Sequence, residues 1–230
     1  MIADRLRNVR ERIHAACRRS GREVEEVDLV LVTKDVSTED IRNAHELGVR
    51  DFGENKAQEF TAKKAALPTD IRWHFIGHLQ TNKVKSVVGQ VSLIHSCDRL
   101  ELARELNQQA EKIGRQTDVL IQVTASREAS KHGFDSDQVN EAIPEILNLN
   151  RLRVRGLMTI GPFTEEEHEI RQSFRTLRLL RDRMKESYPG HDWRYLSMGM
   201  SSDFEIAIEE GANLLRIGTA VFGQRKIEKA

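Results

Sequence analysis

The chain has no excess of either charge: Lys+Arg and Asp+Glu each number 36, for a formal net charge of zero. A protein built mainly to neutralise nucleic acid or an anionic membrane carries a basic surplus, so neither is an expected partner. Only two cysteines occur, Cys17 and Cys97, too few and too far apart for a disulfide framework or a zinc site. No apolar run reaches membrane-spanning length. A signal-peptide core is also missing, because Arg5, Arg7, Arg10, Glu11 and Arg12 break up the opening segment. No stretch rich in proline, glycine or serine divides the chain, and no low-complexity segment appears. These absences predict one domain over residues 1–230, in a reducing, cytoplasmic compartment. At 230 residues such a domain buries a large core without staples.

What is present is a rhythm. Ile2, Leu6, Val9, Ile13 and Ala16 recur at helical spacing and predict an amphipathic opening helix. Apolar runs at 28–33, 49–52, 72–76, 93–95, 118–123, 153–158, 193–196 and 213–217 predict eight strands. Helices are expected between them at 37–46, 54–66, 82–88, 99–113, 137–147, 165–187 and 202–210, with a short one at the end. Ser37 and Asp40 are spaced as a capping box, and Gly48 is placed to stop that helix. Eight strand–helix units in 230 residues predict an α/β fold, a closed (β/α)8 TIM barrel with an extra N-terminal helix. An open doubly wound sheet is the competing arrangement.

In such a barrel, function collects at the C-terminal ends of the strands. That rule gathers Lys34 after strand one, Gly53-Glu54-Asn55 after strand two and Gly77-His78-Leu79-Gln80 after strand three. It adds Ser96 and Asp98, Thr124, Thr159, the run Ser197-Met198-Gly199-Met200-Ser201-Ser202-Asp203 and finally Gly218-Thr219. Lys34 ends a buried strand, where desolvation would keep an amine nucleophilic. The loops after strands seven and eight are the usual phosphate site of these barrels, and Ser201 and Ser202 precede a predicted helix whose free N–H groups favour an anion. Gly199 and Gly218 allow close backbone approach, and Thr219 offers a hydroxyl. An amine facing a phosphate cradle points to a phosphorylated carbonyl compound. Pyridoxal phosphate combines the two, bound to lysine as a Schiff base.

Arg216, two residues before Gly218, is placed to hydrogen-bond a pyridine nitrogen and keep it unprotonated, or else to pair with an acidic neighbour outside the barrel. Asn55 and His78 are rim candidates for ring contacts. His74 and His95 fall inside strands and are expected in the core. Lys131, on the loop after strand five, is a second amine within reach of the mouth. Glu165-Glu166-Glu167 opens a helix against its dipole, so no metal ligand set is expected.

These motifs together resemble the pyridoxal phosphate homeostasis protein family, single-barrel relatives of the alanine racemase N-terminal domain. The matching stretches are Leu31-Val32-Thr33-Lys34, Phe52-Gly53-Glu54-Asn55, Trp73 to Gln80 with Asn82-Lys83, and Ile94-His95-Ser96. Further along they are Gly156 to Ile160, Leu196 to Phe204, and Arg216 to Gly223. The resemblance implies that Lys34 forms the internal aldimine and that Ser201, Gly218 and Thr219, with the loop residues Met198 and Gly199, hold the phosphate end. It further implies that Arg216 meets the pyridine nitrogen and Asn55 lines the pocket. It implies a carrier or regulator in vitamin B6 and amino-acid balance, with cofactor-dependent apo-enzymes as candidate partners. Val123-Thr124-Ala125-Ser126-Arg127-Glu128 departs from the family's valine-asparagine-x-serine-glycine-glutamate pattern.

The alternative is a pyridoxal-phosphate-dependent amino-acid racemase. Racemases of this fold add a tyrosine base from a second domain, and the chain stops at Ala230 with only Tyr188 and Tyr195. A non-catalytic monomer is therefore expected. A phosphosugar barrel without cofactor, the third reading, leaves Lys34 unexplained.

Overall fold

Side chains that alternate in character along eight short strands close them into one parallel barrel, in chain order. The computed structural model describes residues 1–124 and 132–224. The strands are β1 (Asp28–Val32), β2 (Asp51–Glu54), β3 (Arg72–Phe75), β4 (Leu93–Cys97), β5 (Thr117–Gln122), β6 (Leu152–Met158), β7 (Tyr195–Ser197) and β8 (Leu214–Ile217). Closure is made by β1 against β8, with Val30 opposite Arg216 and Leu31 opposite Ile217. The two ends of the sequence thereby become neighbours. This is the expected single-domain (β/α)8 barrel with its N-terminal helix.

The helices are α1 (Ile2–Ser20), α2 (Thr38–Glu46), α3 (Ala57–Ala66), α4 (Leu100–Lys112), α5 (Ser136–Leu147), α6 (Glu167–Ser187), α7 (Phe204–Glu209) and α8 (Thr219–Phe222). The stripe Leu6, Val9, Ile13, Ala16 and Cys17 buries one face of α1. Arg12 and Arg19 reach Glu205 and Glu209 of α7 at 2.7 and 2.8 Å. Such part-exposed pairs contribute about 0–1 kcal/mol each, so apolar burial is what holds α1 in place. Gly21 ends α1 in the left-handed conformation (φ 65°) that L-residues avoid. The expected cap of α2 forms, Ser37 Oγ accepting from the Asp40 N–H at 3.1 Å.

Outward-facing residues such as Leu31, Phe52, Trp73 and Ile94 pack under the helices. Inside the barrel the apolar filling is small: Val30, Leu93, Leu120, Met158 and Leu214, with Tyr195 against them. Barrels of this kind are usually filled by layers of branched apolar residues. Here His74, His95, Ser197 and Arg216, all buried, occupy interior positions instead. The interior is therefore a polar column flanked by a thin apolar plug.

Three element expectations are corrected. The second strand begins at Asp51, not residue 49, because the Val49 N–H is used by Ala44 O (3.2 Å) in closing α2. The third helix begins at Ala57, not at residue 54, because Glu54 ends β2 with its side chain buried. The helix expected at 82–88 is only a 3₁₀ segment, Thr81–Ser86.

Candidate functional site

Lys34 lies in the turn that leaves β1, and that turn is held from three sides. The Thr33 hydroxyl donates to Glu54 Oε1 (2.5 Å), and Lys63 Nζ donates to Thr33 O (2.6 Å) and to Glu54 Oε1 (2.8 Å). Lys63 also reaches Glu59 Oε2 (3.1 Å), which accepts the Asp35 N–H at 3.0 Å. One buried ammonium from α3 thus organises a cluster that grips residues 33 and 35 on either side of Lys34. Asp35 is the one non-glycine residue with positive φ (55°) among the described residues. A short polar side chain tolerates that conformation better than most. Burial pushes the Glu54 carboxyl up, opposed by Lys63 and Thr33. Burial also acts on Glu59, but the Asp35 N–H and Lys63 outweigh it and hold that carboxyl low.

The Lys34 side chain itself is 38% exposed and 4.0 Å from Asp35 Oδ2. The amine is half-buried rather than enclosed. Its place at the rim comes from the clamped turn, with water at hand.

The loops after β7 and β8 join directly. Ser201 Oγ accepts the Ala220 N–H at 3.2 Å, and Gly199 O accepts the Arg216 N–H at 3.0 Å. Gly199 has φ 95°, and a Cβ there would come within 2.7 Å of Ala207 Cβ, so only glycine fits. The Met198 side chain is fully buried among the core residues under the helices, which leaves its backbone as the part available to the mouth. Gly218 is buried, and Thr219, which opens α8, is exposed. The backbone N–H groups of Ser201, Ser202 and Gly218 donate to no protein acceptor among the described residues. Converging free donors of this kind suit an anion.

Arg216 does not take the outer-face alternative: it points into the barrel and is 4% exposed. Nη1 donates to Ser197 Oγ (2.5 Å) and Nη2 to Thr159 O (2.8 Å). Burial lowers its pKa to about 10, with Asp203 opposing, so it remains a cation at neutral pH. Asn55 follows β2, and its Oδ1 is buried without a partner. A buried amide oxygen left unpaired is uncommon and asks for a donor from outside the protein. A cavity of about 260 Å³ opens beside it, lined by Asn55, Lys56, Phe75, His78, Gln80 and Lys83. Larger hollows of about 620 and 750 Å³ lie along α1 and beside Arg194, away from these residues.

His78 Nδ1 meets Asp98 Oδ2 at 2.7 Å, Arg99 takes the other carboxylate oxygen at 2.6 Å, and the His132 ring stacks on His78 at 3.9 Å. The ligand atoms of His78, Asp98 and His132 fall within 4.8 Å of one another. The two ring planes are nearly parallel (18°), so their in-plane lone pairs do not converge on one ion. His74 and His95 are in the core, as expected. Burial pushes the Cys97 thiol up to about 12 and raises Cys17, which makes neither a nucleophile. Lys131 and residues 125–128 of the divergent fifth loop lie outside the described residues.

The closed sheet sets β7, β8, β1 and β2 side by side. Consecutive strand ends therefore carry Ser201, Gly218-Thr219, Lys34 and Asn55. Lys63 and Glu59 were not expected at the site, nor Glu54 as the partner of Lys63, nor Ser197 and Thr159 as partners of Arg216. The spacing of Glu59 and Lys63, four residues apart on a helix, was the one sequence signal for the first group.

Fold and rim define a parallel barrel with an amine, a glycine-serine loop and a glycine-threonine loop on adjacent strand ends. The family model described as "Alanine racemase, N-terminal domain" matches residues 5–226. A pyridoxal phosphate homeostasis protein of Aquifex aeolicus is 46% identical, over 97% of this chain and 98% of its own length. The protein of that name from Escherichia coli is 40% identical, over 99% and 98%. The solved structure of PipY from Synechococcus elongatus with PLP bound is 34% identical with a TM-score of 0.85, over 97% of this chain and all of that one. This chain belongs to the pyridoxal phosphate homeostasis protein family.

Proposed function

We propose that the barrel mouth binds pyridoxal 5′-phosphate as a Schiff base on Lys34, and that the chain acts as a carrier or regulator in vitamin B6 and amino-acid homeostasis. Bound there, the cofactor supplies an aldehyde that condenses with an amine, losing water, and a ring that can withdraw electrons. The observation that carries the reading is the match of the rim to the two ends of that molecule. Lys34 offers the amine after β1, while the unpaired N–H groups of Ser201, Ser202 and Gly218 lie on the strand ends beside it. Arg216 has donors beyond the two it uses, and Asn55 Oδ1 lacks a partner. The family relative with PLP bound supports the same assignment.

Replacing Ser201 and Thr219 together by alanine is expected to weaken cofactor retention on the order of a hundredfold while leaving the fold intact. Hydrogen bonds to a charged phosphate contribute about 1.5–3 kcal/mol each, if the two effects add. Titration of the unloaded protein checks this, and an unchanged affinity would move the phosphate elsewhere.

The carrier reading rests on where the two tyrosines stand. Tyr195 begins β7, at the end of the strand opposite the mouth, with Arg194 over its ring at 4.9 Å. Tyr188 packs near Trp193 beyond α6. Neither stands at the rim. A positioned base alone supplies ~10²–10⁴-fold in rate, and a ring nitrogen facing Arg216 stays unprotonated and withdraws electrons weakly. Loaded protein is therefore expected to show no measurable exchange of the α-proton of common amino acids in heavy water. Rapid exchange with inversion, lost in Lys34→Ala, would favour a racemase. No helix among the described residues is long and apolar enough to cross a membrane. The same proposal makes the chain a cytoplasmic monomer whose partners are the cofactor and the apo-enzymes that take it.

A further inference from the structure

The polar column inside the barrel is continuous from the mouth to the opposite face. Arg216 Nη1 meets Ser197 Oγ (2.5 Å), Ser197 Oγ meets His95 Nδ1 (2.9 Å) and His95 Nε2 meets His74 Nδ1 (2.9 Å). His74 Nε2 then meets Asp51 Oδ1 at 3.0 Å. Arg72 pairs with the Asp51 carboxylate through both of its oxygens. Five strands contribute; the links from Arg216 to His74 are buried, and those at Asp51 are part-buried or exposed.

Donor and acceptor rules orient this chain. Arg216 can only donate and the Asp51 carboxylate can only accept, so the two ends are fixed. His95 is fully enclosed, and burial first, then the charges of His74 and Arg216, drive its pKa well below the ordinary histidine value. A neutral His95 carries one ring proton. If that proton is on Nε2, it donates to His74, the Ser197 hydroxyl donates to His95 Nδ1, and the Ser197 oxygen is left to accept from Arg216. Every donor then has one acceptor. If the proton is on Nδ1, Ser197 accepts twice and its own buried hydroxyl proton has nowhere to go. His74 must then donate from both nitrogens and becomes a second interior cation. Unmatched buried donors cost about 1–3 kcal/mol each, which favours the first arrangement.

We propose that His95 is a positioning residue for Arg216. Through a one-way chain Arg216 → Ser197 → His95 → His74 → Asp51, it fixes the guanidinium so that its free donors face the ring nitrogen of the bound cofactor. The link to the cofactor rests on the function proposed above; the orientation of the chain does not. Charged groups facing the column are Arg216 and Asp203 near the mouth, and Asp51, Asp28, Arg72 and Arg194 at the other end.

The test has two arms. In the unloaded protein, nitrogen-15 NMR of the histidine rings is expected to find His95 protonated on Nε2 and bare on Nδ1, unchanged from pH 5 to pH 8 (a range chosen to bracket an ordinary histidine). In the loaded protein, His95→Leu, which deletes both links, is expected to shift the cofactor's absorption band and weaken retention about tenfold. His95→Gln, which offers an acceptor to Ser197 and a donor to His74, should restore both. Borohydride should still label Lys34 in each variant. Ser197→Ala breaks the same link without touching the imidazole, so it gives the spectral answer if His95→Leu fails to fold. A proton on His95 Nδ1, a titration of His95 within that range, or a wild-type spectrum in the broken variants would each overturn the proposal. Failure of wild-type protein to bind the cofactor would instead remove the proposed function and leave the NMR arm to decide the chain.

Discussion

Lys34→Ala should give a protein that unfolds like the wild type yet stays colourless after incubation with pyridoxal phosphate. The two halves of that result come from different physics. The Lys34 side chain is 38% exposed and its ion pair with Asp35 is long, at 4.0 Å. Removing it should therefore change stability by no more than about 0.5 kcal/mol, as surface substitutions usually do. The covalent link has no substitute, however. Lys63, the buried amine of the cluster, spends its donors on Thr33 O, Glu54 and Glu59, and Lys56 is paired with Asp35 and Glu59. Residual binding would rest on the phosphate loops alone, without an imine band. The check is a titration followed by absorption, with a denaturant curve on the same sample. A Lys34→Ala protein that still yellows would put the amine elsewhere.

Lys63→Met should do the reverse, harming the fold first and the site through it. Methionine matches the apolar stem of lysine, but the ammonium is the one cation paired with Glu54 among the described residues, and Glu54 is fully buried. Breaking a buried pair from one side typically costs about 3–5 kcal/mol, because the remaining charge is stranded. Part of that loss is relieved by protonation, since burial already pushes the Glu54 carboxyl up. Lys63→Met combined with Glu54→Gln should accordingly recover a good share of the stability. Covalent attachment at Lys34 should slow in the single variant, because Thr33 O and the Asp35 N–H lose the cluster that fixes them. Urea denaturation measures the first effect and stopped-flow absorption the second. A loss below about 1 kcal/mol would mean that the cluster is solvated and does not clamp the turn.

The barrel was legible in the sequence because its outward strand faces are apolar runs broken by helices at regular intervals, and both signals are local. The rim positions of Lys34, Ser201 and Gly218 were legible because each follows a predicted strand. Glu54 was gathered at the rim but also placed at the start of a helix; its burial depends on Lys63, which comes from the next element. The partners of Arg216 were hidden for the same reason. Ser197 and His95 are 102 residues apart and meet only because the barrel closes. Lys34 is half-buried rather than enclosed because the turn carries the residue past the end of the strand. Sequence periodicity reports which face is apolar. It does not report which polar groups will share the space inside.

The most direct test of the whole account is borohydride reduction of wild-type protein incubated with pyridoxal phosphate, followed by digestion and mass mapping. The account predicts one pyridoxyl group per chain, on the peptide that contains Lys34. A label confined to any other lysine, or no stable label after loading, would contradict it.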